Sequence, residues 1–212
     1  MKLRSTLVAA ALFIAAVSPR PAQASPIIGA QLFATGGNVV ATFLGHSAGF
    51  TNDLYLFAAN DLLHPLALTG VTGPGYAEAG VIFTNHTTAP GTSFDLGSFA
   101  FGTELVFGIY VRDTGFTYFM GPGSRNPDGL QHGAVDNGNL PAFPGFLPIP
   151  AGAVGVGFED IFGGGDLDYD DLGFAFSNVV AATVPEPATL VLLGSGLAGG
   201  LWRRARRSRS NT

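Results

Sequence analysis

Six carboxylates fall within thirteen residues of the stretch GFEDIFGGGDLDYDDLGF, Gly157 to Phe174, and no Lys or Arg stands among them. Two carboxylates about 4 Å apart repel by roughly 1 kcal/mol even in water and by more near a protein surface. A compact group of six must therefore protonate, splay apart into solvent, or hold a cation. Asp166, Asp168 and Asp170 recur at every second residue, directly after Gly163-Gly164-Gly165, whose freedom at positive φ permits a tight curl. That spacing makes these three the core candidates for a metal shell, with Glu159 and Asp160 closing it and Asp171 pointing the other way. The ion that suits such a set is Ca²⁺, a hard cation that takes 6 to 8 oxygens in a flexible shell, and one or two ions would answer the charge.

Two other chemistries use the same residue types. Asp-x-Asp-x-Asp opens the EF-hand loop, but its sixth position here is Asp171 in place of Gly and its twelfth is Ser177 in place of Glu. A glycan hydrolase pairs two carboxylates as acid and base, here Glu159 with Asp160 or with one of the later aspartates. Such enzymes present the pair from separate strands across a cleft lined with aromatics, whereas these acids crowd one loop and the only Trp is Trp202, near the C-terminus. The bland reading is a solvated acidic turn.

Three further motifs are weaker. Gly45-His46-Ser47-Ala48-Gly49 fits G-x-S-x-G, but a nucleophile elbow needs a helix directly after the serine, and Asn52 to Ala58 reads as a strand, so a hairpin connection fits better. Asn85-His86-Thr87 has the pattern of a glycosylation sequon. In Ser124-Arg125-Asn126-Pro127-Asp128-Gly129 the Asn-Pro-Asp-Gly is first a turn signal; Asp128 could add an oxygen to the ion and Arg125 could pair with a carboxylate that the ion leaves free. His132, just beyond, is a poor Ca²⁺ ligand and reads as structural or exposed.

The elements that must position these residues are short runs of period two, punctuated by Gly and Pro: Ile28 to Ala34, Val39 to Leu44, Leu54 to Ala58, Gly80 to Thr84, Glu104 to Arg112, Phe116 to Met120, Val154 to Phe158 and Leu172 to Ser177. In Glu104 to Arg112, Leu105, Phe107, Ile109 and Val111 share one parity. Val154, Val156 and Phe158 alternate with Gly155 and Gly157, and Leu172, Phe174 and Phe176 alternate after the acidic loop, so the loop joins the last hairpin. Residues 121–152 are too rich in Gly, Pro and Asn for regular structure, apart from one strand near His132 to Val135. No capped 3.6-period pattern interrupts this, and the fold expected is one all-β domain, an antiparallel β-sandwich resembling a jelly roll.

Both ends lie outside that domain. Residues 1–24 carry Lys2 and Arg4, an apolar run from Leu7 to Val17 and Ala22-Gln23-Ala24, the layout of a signal peptide cut after Ala24 by signal peptidase. Residues 184–212 hold Pro185-Glu186-Pro187, an uncharged run from Ala188 to Leu201, and five arginines between Arg203 and Arg209. That run is short for a roughly 30 Å hydrocarbon core, and the basic residues keep to the cytoplasmic side, which leaves the body outside. The body, residues 25–183, has fourteen Asp and Glu against Arg112 and Arg125, a formal charge of −12. Such a surface repels nucleic acid and attracts cations. With no cysteine anywhere, the fold has no disulfide, and a bound metal is the usual substitute as a staple.

The ordered triplet of Pro185-Glu186-Pro187, short apolar helix and arginine cluster closely resembles the PEP-CTERM sorting tail. The resemblance implies removal of the tail by an exosortase, in Gram-negative bacteria that make extracellular polysaccharide. The chain would touch a membrane only through that tail, before cleavage; the other reading of the tail is an anchor that is never cut. Gly157-Phe158-Glu159-Asp160, Gly163-Gly164-Gly165-Asp166 and Asp168-Tyr169-Asp170-Asp171, with Leu172 and Phe174, look like the C-terminal signature of the DUF4114 family, a likeness that runs over about residues 104–179. That family's recurrent acidic residues imply either metal binding or enzymatic activity at Glu159, Asp160, Asp166, Asp168, Asp170 and Asp171. Asp170 stands where Asn is common and Gly173 where an apolar residue is common, which weakens the expected second strand. The function expected is that of an exported, non-enzymatic, Ca²⁺-stabilised β module at the cell surface, associated with extracellular polysaccharide, with the glycan hydrolase as the alternative.

Overall fold

The computed structural model describes residues 26–68, 80–136 and 146–182. Within them the chain forms thirteen strands: β1 (Ile27–Ile28), β2 (Gln31–Ala34), β3 (Gly37–His46), β4 (Asn52–Ala58), β5 (Asp61–Pro65), β6 (Phe83–Thr84), β7 (Ser93–Phe99), β8 (Glu104–Val111), β9 (Phe116–Phe119), β10 (Gly133–Asp136), β11 (Val154–Phe158), β12 (Leu172–Phe176) and β13 (Val179–Ala182). They make two antiparallel sheets. Sheet A has the order β1-β10-β11-β12-β3-β7; sheet B has the order β13-β2-β8-β4-β5, with β6 also on β4 and β9 also on β8. The expected sandwich is what the residues build. The signal peptide and the sorting tail lie outside the described residues.

Alternation sets the layers. Leu105, Phe107, Ile109 and Val111 of β8 face inward and meet Phe43, Phe158, Phe174 and Phe176 from sheet A in one cluster. Phe107 and Phe176 stack at 3.8 Å between ring centroids across the sheets. The other parity on sheet B is apolar too: Tyr55, Phe57, Val106 and Phe119 form a second cluster on its outer face, with Phe57 edge-on to Phe119 at 5.0 Å. Rings placed this way add about 0.5 to 1.5 kcal/mol per pair beyond their buried area.

Several runs differ from the sequence reading. Ile28 to Ala34 is not one strand: Gly29, at φ 70, turns the chain, so that β1 pairs with β10 in sheet A and β2 with β8 and β13 in sheet B. Only Phe83–Thr84 of the run from Gly80 is a strand. β5, β7 and β13 had no alternating signal, because β5 and β7 are largely exposed edge strands and β13 is four residues long. β3 and β4 lie in different sheets, so Gly45 to Gly49 belongs to an arch between sheets and not to a hairpin. The pair β11–β12 is not the last element either; β13 follows through Asn178, at φ 53.

Candidate metal centre

Strand parity divides the acids before any ion is considered. β11 sends Phe158 into the core, so Glu159 points outward and Asp160 inward again, both nearly sealed from solvent at 1% and 2% exposure. The loop from residue 161 to 171 then folds back over Glu159. Its return depends on glycine. A Cβ on Gly157 would lie 2.1 Å from the Tyr169 carbonyl oxygen, and one on Gly165, at φ +56, would lie 2.8 Å from Glu159 Oε2. Tyr169 N–H donates to Glu159 Oε1 at 2.5 Å, and the Tyr169 hydroxyl donates to the Gln131 carbonyl at 3.2 Å.

Leu167 and Tyr169 sit in the left-handed region at φ 62 and 58, between the three alternating aspartates. Each such non-glycine residue costs about 1 to 2 kcal/mol, which the buried Tyr169 ring and its hydrogen bonds must offset. The curl brings one carboxylate oxygen each from Glu159, Asp166 and Asp168 to within 4.8 Å of one another. Asp170 stays close enough to Asp168 to repel it, and its Oδ1 accepts from Ser47 Oγ at 2.7 Å. Asp171 turns toward Asp160, accepting the Asp160 N–H on Oδ2 at 2.9 Å.

The electrostatics are those of a group lacking a counter-charge. Burial pushes the Glu159 carboxyl up to about 7, helped by Asp171, Asp168 and Asp166 and opposed by the Tyr169 N–H. Burial also raises Asp168, against the Asp170 N–H and with repulsion from Asp170 and Asp166. Asp171 is pushed up to about 7, by burial first, then by the neighbouring Asp160 and Asp170, while the Asp160 N–H pulls it down. Both arginines of the body make their ion pairs elsewhere, Arg112 Nε with Asp53 at 2.6 Å and Arg125 Nη2 with Glu104 at 2.7 Å. The pairing of Arg125 with a carboxylate of the acidic loop is therefore not what forms.

The turn signal around Asp128 serves the loop from outside. Asp128 Oδ1 accepts from Leu130 N–H at 3.1 Å, and Oδ2 accepts from Gly163 N–H at 2.9 Å and from His132 Nε2 at 2.8 Å. Burial pushes this carboxyl up, but those three donors together hold it below the usual carboxylate range. His132 is buried, stacks on Tyr118 at 3.9 Å between centroids, and sets its Nδ1 against the Glu159 carbonyl at 3.0 Å. Asp128 and His132 thus clamp both the start and the middle of the acidic loop to the connection between β9 and β10.

The remaining motifs resolve structurally. Ser47 sits in the arch after β3, its N–H donating to the Asp171 carbonyl at 3.0 Å. Asn85 is 2% exposed, with its side chain donating to the Phe50 carbonyl at 2.8 Å, so its sequon is closed to modification in the folded chain. Asn52 and Tyr118, which adjoin the loop, carried no sequence signal; Asn52 Nδ2 reaches Asp160 Oδ2 at 2.7 Å from 108 residues away.

Gly157 offers a direct check on this geometry. Gly157→Ala forces the Tyr169 carbonyl away, and overpacking of this kind costs about 1 to 3 kcal/mol. Gly49→Ala, with open space around the new Cβ, is the matched control. The expected result is a lower melting temperature in the first variant alone; equal behaviour of the two would show that the loop does not lean on the strand.

Residues 183–207 match the PEP-CTERM protein-sorting motif. No curated protein and no solved structure matches the chain. The motif marks an exported protein processed by exosortase at the Gram-negative cell envelope. Pro185, Glu186 and Pro187 lie outside the described residues, and among the described ones no helix is long and apolar enough to cross a membrane. Processing has a simple readout: the protein recovered from the envelope should lack Trp202 and the arginines by intact mass, and replacing Pro185-Glu186-Pro187 with alanines should make the full-length precursor accumulate in the inner membrane. Recovery of the mature protein with residues 188–212 still attached would contradict it.

Proposed function

We propose that the body is a non-enzymatic, Ca²⁺-stabilised β module that the envelope machinery releases or displays at the cell surface, where it associates with extracellular polysaccharide. The observation that carries this reading is the convergence of Glu159, Asp166 and Asp168 to within 4.8 Å, with the body's two arginines paired elsewhere. Three hard oxygens from one curled loop, open to water on the Asp166 and Asp168 side, suit an ion that completes its shell with solvent. Polysaccharide as partner draws support from a cleft of about 380 Å³ on the outer face of sheet B, lined by Tyr55, Phe57 and Tyr110, because aromatic rings stack on the apolar faces of sugars.

One observation favours the hydrolase: a carboxyl held near 7, as Glu159 is, can act as a general acid. Against it, Glu159 is 1% exposed, and its neighbour Asp160 points to the opposite side of the strand, into the sandwich. Calcium titration by calorimetry, beside an assay for reducing ends released from envelope polysaccharide, separates the two. Heat of binding that Asp168→Asn diminishes, with no turnover, is the expected result. Turnover that Glu159→Gln abolishes would replace the module with an enzyme.

A further inference from the structure

Beneath the outer triad a second set of oxygens lies between the two sheets. Asp160, pointing inward from the end of β11, accepts on Oδ2 from Asn52 Nδ2 at 2.7 Å, so sheets A and B meet here through polar groups. Asp171 joins from the end of the loop: it accepts the Asp160 N–H on Oδ2 at 2.9 Å, which leaves its carboxyl close enough to that of Asp160 for the two to repel. Two acids thus face each other in a place where both arginines are committed elsewhere. Asn52 Oδ1, on the side chain bonded to Asp160, has no hydrogen-bond partner among the described residues, and neither has the hydroxyl of Tyr118, whose ring stacks on His132; both side chains are 0% exposed.

Each orphaned buried atom costs about 1 to 3 kcal/mol, so a native fold accounts for it. A proton shared by Asp160 and Asp171 removes their repulsion and leaves Asn52 Oδ1 unsatisfied. A water can bridge several such atoms but leaves the repulsion. A cation answers both at once, because carboxylate oxygens and an amide oxygen are all ligands to it. We propose that Asp160, Asp171 and Asn52 Oδ1 form a second, inner site for Ca²⁺ that bridges the two sheets. The donors are all hard oxygens, which suits Ca²⁺ over a transition metal, and water fills the rest of the shell. The ligands come from β4 and from both ends of the β11–β12 loop, so the bound ion ties the two layers together in a chain without cysteine. This rests on the reading of the module as a calcium binder, but it shares no ligand with the outer triad.

The two sites can be counted separately, by native mass spectrometry and calorimetric titration of the exported protein with Ca²⁺ alone. The wild type is expected to take two ions, and Asp168→Asn and Asn52→Leu one each. Asn52→Asp, which adds a charged ligand where the amide oxygen stood, should keep both ions and tighten the inner one about tenfold. Without a cation there, that same change buries a third carboxylate and lowers the melting temperature equally with and without Ca²⁺. One ion that Asp168→Asn removes and Asn52→Leu leaves in place would overturn the inner site and keep the outer one. One ion with the opposite pattern would keep the inner site and overturn the outer. No ion at all would overturn both, and Asn52→Asp decides the matter if Asn52→Leu fails to fold.

Discussion

Millimolar Ca²⁺ is expected to raise the melting temperature of the exported, tail-cleaved protein by at least about 6 to 10 °C over the value in EDTA, and Asp168→Asn to remove a share of that size. An ion that binds only the folded state stabilises it by RT ln(1 + [L]/Kd), about 2.7 kcal/mol at a hundredfold excess over Kd. For a body of this length about 1 kcal/mol moves the transition by roughly 2 to 4 °C. Loss of one Asp168 charge also relieves repulsion from Asp166 and Asp170, so in EDTA the variant should melt no lower than the wild type. Scanning calorimetry of both proteins in both buffers is the measurement. Identical wild-type transitions with Ca²⁺ and with EDTA would leave the acidic loop as a solvated turn.

The second large effect is a dependence on pH that reverses with the metal. Glu159 and Asp171 are held near 7 in the folded chain, against ordinary values of 4.5 and 3.8. A group raised by folding contributes stability that is fully present below its unfolded value and is lost as pH rises through the folded one. In EDTA the melting temperature should therefore fall between about pH 5 and pH 8. Ca²⁺ requires the same groups without their protons, so the gain it confers should grow over the same interval. Asp128, held below the usual range, contributes oppositely, but only at lower pH, since its share is lost as pH falls through its folded value. Thermal scans at four pH values, with and without EDTA, test the sign; a flat EDTA series would mean that the two carboxyls ionise freely. Glu159→Gln should flatten part of that slope.

The parts of the molecule that were legible in the sequence are those governed by period two. Leu105 to Val111 and the pair β11–β12 announce their inward faces, and the all-β class follows from such runs. Inside the acidic loop the same periodicity says less. Left-handed residues at Leu167 and Tyr169 break the alternation, and the structure gathers Glu159 with Asp166 and Asp168, while Asp170, beside Asp168, also accepts from Ser47. Asn52 and Tyr118 carry no local signal, because what places them beside Asp160 is the meeting of two sheets. β5 and β7 escaped for the opposite reason: an exposed edge strand has no core face to mark it.

The position of β12 in sheet A sets the timing of the protein's life. It lies between β11 and β3, and Ser177 at its end bonds Val40 across 137 residues of sequence. Neither sheet closes until the last thirty residues of the body are available, since β13 completes sheet B just before the sorting motif begins at residue 183. A chain that emerges from its N-terminus, as an exported one does, can pair β3 with β7 and β2, β8, β4 and β5 with one another early. It completes neither sheet until the end of the body has crossed, and such non-local pairing is slow. The sorting motif begins at residue 183, directly after β13, so the strand that completes sheet B is the one nearest in sequence to the segment the protease recognises.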